Sequence, residues 1–126
     1  TRSDRVSGLG DVYKRQADSY ARELSGGQKK LLELGRSIIN EPSILLLDEP
    51  LAGVNPKLAE EILSIIQKLS ESGITILMVE HNIEAVMKIS ERVVVLAEGA
   101  VIADGSPENV RKDDKVIEAY LGSGNE

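Results

Sequence analysis

An α/β fold with a mostly parallel sheet and flanking helices is what this 126-residue sequence predicts, on three observations. First, a short continuously apolar run occurs at Ile44–Leu47, and runs rich in Ile, Leu and Val occur at 74–79 (ITILMV) and 92–96 (RVVVL), the length and composition of strands. Second, the stretches between them carry apolar residues at helical spacing, so the order is strand, helix, strand, helix, strand. That order implies βαβ units with right-handed crossovers. Third, the chain has three Tyr and no Phe or Trp, so its core is built from Ile, Leu and Val, as parallel sheets are.

The elements follow in order. Residues 28–39 read as a helix with an inward stripe of Leu31, Leu32, Gly35, Ile38 and Ile39. Ser25 is its expected N-cap, with Gln28 completing a capping box, and Pro42 closes the region. Ile44–Leu47 is expected to be buried on both faces, with Asp48 and Glu49 at its C-terminal end. Asn55-Pro56 opens a second helix, Asn as cap and Pro in the first turn. Its stripe is Leu58, Ile62, Ile65, Ile66 and Leu69, and Gly73 ends it. The run 74–79 is a second buried strand ending in Glu80-His81, and a helix over Ile83–Ile89 follows. After the third strand, Glu98-Gly99 is a turn signal and Val101–Ala103 a hairpin partner. Ser106-Pro107 caps a short helix. A last helix starts at Asp113 or Asp114 and stops at Gly122, with Val116, Ile117 and Tyr120–Leu121 expected to face inward.

Composition narrows function. The net charge is −6, which disfavours a nucleic-acid-binding surface. There is no Cys and a single His, which removes disulfides, thiolate sites and His-cluster metal sites. No apolar run approaches the ~20 residues of a membrane span, so action at a membrane would run through a partner. Residues 1–16 (TRSDRVSGLGDVYKRQ) differ from the rest: they lack periodicity and carry four basic against two acidic residues. Gly10–Gln16 resembles an in-frame translation of a transposase mosaic-end adapter. The expectation is that residues 1–16 are foreign and that the native sequence starts near Ala17.

Three places carry chemistry. At Ser25-Gly26-Gly27 the unpaired amides of a helix start, with their positive dipole end, suit an anion, although a plain cap after a Gly-rich loop reads the same way. Asp48 ends an apolar strand, where a carboxylate can hold a nucleotide's Mg²⁺, and Glu49 beside it can polarise a water. A solvated acidic turn is the plainer alternative. His81 also lies just past a strand end, where ligands of α/β sheets bind.

In this order the three motifs resemble the ATP-binding-cassette (ABC) ATPases. Leu24, Ser25, Gly26, Gly27 and Gln28 resemble the family's signature, Ile44–Asp48 its Walker B strand, Glu49 its catalytic glutamate, Leu51–Asn55 (with Gly53) its D-loop, and His81 its switch histidine. The resemblance implies that residues 17–126 are the C-terminal part of a P-loop NTPase (RecA-like) nucleotide-binding domain, incomplete because no lysine-bearing phosphate loop is present. It implies ATP and Mg²⁺ as cofactors. Asp48 would reach the metal through water, and Glu49 and His81 would be catalytic. The signature would act in trans on ATP held by a second cassette, identical or a sister subunit. Leu51 and Asn55 depart from the Ser or Thr and the Asp that many members carry there.

The segments AGVNP (52–56), EHN (80–82) and KVIEAYLG (115–122) resemble the cassette subunits of branched-chain amino-acid importers. The implied partners are integral membrane permease subunits and, indirectly, a periplasmic or extracellular substrate-binding protein. The implied location is peripheral, on the cytoplasmic face of the cell membrane. Lipopolysaccharide-export and urea-import cassettes are alternatives. So, in other classes, are chromosome-maintenance or DNA-repair ATPases and a non-catalytic binding remnant. Without the phosphate loop, residues 1–126 alone are expected to be inactive and prone to aggregate through unpaired apolar edges.

Overall fold

The computed structural model describes residues 26–122, in two units divided after His81. The expectations for residues 1–16, for Leu24 and for the Ser25 cap lie outside the described residues.

The first unit runs α1 (Gly26–Ile38), β1 (Ile44–Asp48), α2 (Pro56–Glu71) and β2 (Thr75–Val79). It is one βαβ unit: β1 and β2 pair in parallel, from Ile44 opposite Thr75 to Asp48 opposite Val79. Because the strands are parallel and in register, their C-terminal ends lie together. Glu49 and the Glu80-His81 pair therefore leave the same edge. Asn55 caps α2 by accepting the Leu58 N–H at 2.9 Å, ahead of Pro56. Gly73, at φ 102°, lies in a left-handed conformation at the stop, and the chain re-enters the sheet with the Ile74 N–H donating to the Leu69 carbonyl.

Three sequence expectations need correction here. The inward side of α1 is Gly27, Leu31, Leu34, Gly35 and Ile38, while Ile39 is 66% exposed. Its stripe is thus rotated from the predicted one, because the helix starts at Gly26 and seats Gly27 inward. In α2 the buried residues are Ile62, Leu63, Ile66 and Leu69, so Leu63 joins the stripe in place of half-buried Leu58 and Ile65. The strands are also not buried on both faces. Leu45 is buried, but Ile44, Leu46, Leu77 and Val79 are all 59% or more exposed. Successive strand side chains point to opposite faces, and only one face of this two-stranded sheet is covered.

The second unit holds α3 (Ile83–Ile89), β3 (Val93–Ala97), β4 (Ala100–Gly105), α4 (Pro107–Lys112) and α5 (Asp114–Val116), which widens into a π-helical turn over Ile117–Leu121. The expected hairpin forms: β3 and β4 are antiparallel, with a register shift at Val95/Leu96. Glu98 and Gly99 both have positive φ, 51° and 78°, the geometry of a tight hairpin turn whose twist matches that of the strands. Among the described residues the strands form two two-stranded sheets, one in each unit.

Side-chain caps start all three helices of this unit. Asn82 accepts from Ala85, Ser106 from Asn109 and Asp113 from Lys115. Its core is Met87, Val93, Ala103, Val110 and Val116, with Ile83, Val86, Val95 and Ile102 packed on it. Of the tail residues expected inside, Val116 is buried, but Ile117 and Tyr120 are 39% and 46% exposed, and the Leu121 side chain lies outside what is described. Tyr120 instead uses its polar end, donating from the hydroxyl to the Leu96 carbonyl.

Candidate functional site

The edge where β1 and β2 end brings Asp48, Glu49 and His81 together. Asp48 is the last residue of β1 and is exposed. Glu49 leaves the strand at φ 45°, a left-handed conformation that few non-glycine residues adopt. Its backbone is held on both sides. Its N–H donates to the Val79 carbonyl at 2.7 Å, and its carbonyl accepts from the Ala52 N–H at 3.1 Å and from Lys30 Nζ at 3.0 Å. Lys30 belongs to α1, so the helix that starts at the two glycines reaches the backbone of the acidic turn.

From this conformation the Glu49 carboxylate meets His81. Glu49 Oε1 lies 2.9 Å from His81 Nδ1, and the two side chains are 48% and 74% exposed. A carboxylate has no proton to give, so Nδ1 carries the hydrogen and Nε2 is the nitrogen turned to other partners. The pair is 32 residues apart in sequence and meets only because β1 and β2 are register neighbours. Glu80, between strand and histidine, is different: its side chain is 1% exposed. It accepts from the Leu51 N–H and the His81 N–H, both at 3.1 Å. Sequence reading assigned no role to Glu80, since nothing in a Val-Glu-His string tells which acid turns inward.

The glycines divide. Gly26 is exposed, and a Cβ there would have no heavy atom within 4 Å. Gly27 is buried, and a Cβ there would sit 1.8 Å from Leu58 Cδ2. The backbone at Gly26 is thus open, whereas Gly27 lets α1 close onto the start of α2. Gln28 is exposed. In the loop after Glu49, Leu51 is buried and gives its N–H to Glu80, so an apolar side chain suits that position. Gly53 takes φ 72°, and Asn55 is engaged as the α2 cap, a task Asp performs equally well.

The donor set fits a magnesium nucleotide at its phosphate end. Mg²⁺ is commonly held by one or two carboxylates, with waters and substrate phosphates completing its shell, and Asp48 offers one exposed carboxylate at a strand end. Among the described residues no group of three or more His, Asp or Glu forms a metal cage of its own. Glu49 with His81 is a carboxylate–imidazole pair able to orient a water and take up its proton. The described residues contain no helix long and apolar enough to cross a membrane.

Residues 4–52 match the family model described as ABC transporter, and residues 100–125 match the one described as branched-chain amino acid ATP-binding cassette transporter. The chain is 46% identical over 107 residues to the high-affinity branched-chain amino acid transport ATP-binding protein BraF of Pseudomonas aeruginosa (84% of this chain, 42% of that protein). It is 43% identical over 106 residues to the probable branched-chain amino acid transport ATP-binding protein LivG of Archaeoglobus fulgidus (84% and 41%). Among solved structures, the ADP conformation of MJ1267, an ATP-binding cassette of an ABC transporter, superposes with a TM-score of 0.78 at 36% identity, covering 97% of this chain and 50% of that one. The chain thus spans about half the length of the solved cassette, and 41% and 42% of these two curated relatives.

Proposed function

We propose that this chain, a relative of the ATP-binding cassettes of ABC transporters, is the part of such a cassette that runs from the signature through the switch histidine to the C-terminal helices. The whole protein hydrolyses ATP and powers a membrane permease. The observation that carries the reading is the contact at 2.9 Å between Glu49 and His81, beside Asp48, at one edge of a parallel sheet.

In this reading Glu49 orients the attacking water and receives its proton, and His81 fixes the Glu49 carboxylate through Nδ1–H while its Nε2, an acceptor in this tautomer, faces the attacking water. Asp48 would hold Mg²⁺, through water. Bound MgATP supplies the phosphoanhydride bond and a metal that offsets charge on the phosphates. Leu24, Ser25, Gly26, Gly27 and Gln28 act on nucleotide held by a second cassette, with the exposed amide end at Gly26 nearest the phosphate. The loop from Gly53 to Asn55 joins the two sites. Residues 1–126 by themselves neither bind ATP tightly nor hydrolyse it in this reading, because a G-x-x-x-x-G-K-[ST] loop is not among them.

The names of the relatives and the match over residues 100–125 support branched-chain amino acids as the cargo class. The partners are then a second cassette, permease subunits and a substrate-binding protein, with the cassette on the cytoplasmic face of the membrane. The experiment is Glu49→Gln in the full-length cassette, read by ATP turnover and by gel filtration in MgATP. The expected result is loss of turnover by at least about 100-fold, with accumulation of an ATP-bound dimer. Wild-type turnover in that variant refutes the assignment.

A further inference from the structure

Glu80 is the one acid at this edge whose side chain is shut away from solvent: 1% exposed, against 48% for Glu49 and 74% for His81. A carboxylate in that setting persists when N–H donors are aimed at both of its oxygens. Here they come from two segments. Oε2 takes the N–H of Leu51, two residues after Glu49, and Oε1 takes the N–H of His81. One side chain thus bridges the segments that carry the two interacting groups.

The bridge matters because Glu49 stands at φ 45°, a conformation its surroundings must impose. Upstream, the Glu49 N–H is tied to Val79. Downstream, Pro50 has no N–H, so the first backbone donor after Glu49 is that of Leu51, and Glu80 takes it. We infer that Glu80 is a positioning residue, whose carboxylate clamps the Leu51 and His81 amides and so sets the spacing of Glu49 and His81 without touching substrate. The inference rests on the hydrolytic reading above. A carboxamide offers one acceptor oxygen and a donor NH₂, so Gln cannot accept both amides, and Asp is one methylene short of reaching them.

The test uses the full-length cassette with Glu80→Gln, and with Glu80→Asp should the first variant fail to fold. The readouts are kcat and KM for MgATP and the hydrogen exchange of individual amides. The expected kcat falls about 10-fold or more, as for an ångström-scale misplacement of reacting groups, while KM stays within about twofold. Protection is lost at the Leu51 and His81 amides and kept along the β1–β2 ladder. A folded variant with wild-type kcat overturns the inference, as does a raised KM at unchanged kcat. Loss of protection throughout the ladder also overturns it, reducing Glu80 to a structural acid. If the wild-type cassette has no turnover, the hydrolytic reading fails, and amide protection alone then decides whether the clamp exists.

Discussion

Gly27→Ala tests the close approach of α1 to α2. The added methyl would lie 1.8 Å from Leu58 Cδ2 and 3.3 Å from its Cγ, with Val54 Cγ1 at 3.8 Å. The first distance is impossible, so Leu58 must change rotamer or the helices must part. Such overpacking costs about 1–3 kcal/mol, while Ala gains at most about 1 kcal/mol over Gly inside a helix. The clash wins by about 1 kcal/mol, and Gly27→Ala is expected to destabilise. Gly26→Ala is the internal control: its Cβ meets nothing within 4 Å, so the same exchange one residue earlier should be neutral or stabilising. Leu58→Ala removes the obstacle, and in its background Gly27→Ala should lose its penalty, a coupling of about 1–3 kcal/mol. Urea unfolding of the full-length cassette measures all four variants, read as shifts in midpoint at constant m-value. If Gly27→Ala stabilises as much as Gly26→Ala, or if the cycle is additive, the packing argument is wrong.

Two more predictions follow from caps and charges. Asn55→Ala should cost about 1 kcal/mol by removing the α2 cap, while Asn55→Asp should stay within a few tenths of a kcal/mol, so urea midpoints separate capping from any effect of the D-loop on turnover. The Arg92 guanidinium donates twice to Asp104, at 2.8 Å each, and these hydrogen bonds hold the Asp104 carboxyl below its ordinary 3.8 and raise Arg92. A carboxyl lowered on folding contributes stability above its unfolded pKa and loses it as pH falls through the lowered folded value. NMR titration should therefore find Asp104 ionised below pH 3.8, and Asp104→Asn should flatten the acid limb of the stability profile; an ordinary titration of Asp104 would refute the pairing.

Much of this molecule is legible along the chain because the signals are local. Asn55-Pro56, Ser106-Pro107 and Asp113 cap helices through side chains that bond two or three residues ahead. The apolar runs at 44–47 and 74–79 become strands, and Glu98-Gly99 turns the hairpin. The misreadings are of faces rather than elements. The tilt of the α1 stripe depended on which glycine packs inward, and no pattern of apolar residues reports a glycine's neighbours. The strands looked doubly buried because nearly every residue in them is apolar, yet Leu46 and Leu77 stand 69% and 61% exposed. Hydrophobicity marks a face that can be covered, and the neighbouring layers determine whether it is.

The candidate site divides along the same line. The residue types and their order identify Asp48, Glu49 and His81 as strand-end groups before any coordinates are considered, since a carboxylate after an apolar strand is a local fact. Sequence alone determined the chemistry available. Tertiary structure decided the pairings: Glu49 with His81 across 32 residues, Glu80 with Leu51 across 29, and Gly27 with Leu58 between two helices. The physical reason is that parallel pairing of β1 and β2 brings two distant strand ends to one edge, and register, burial and backbone direction there exist only once the sheet has formed.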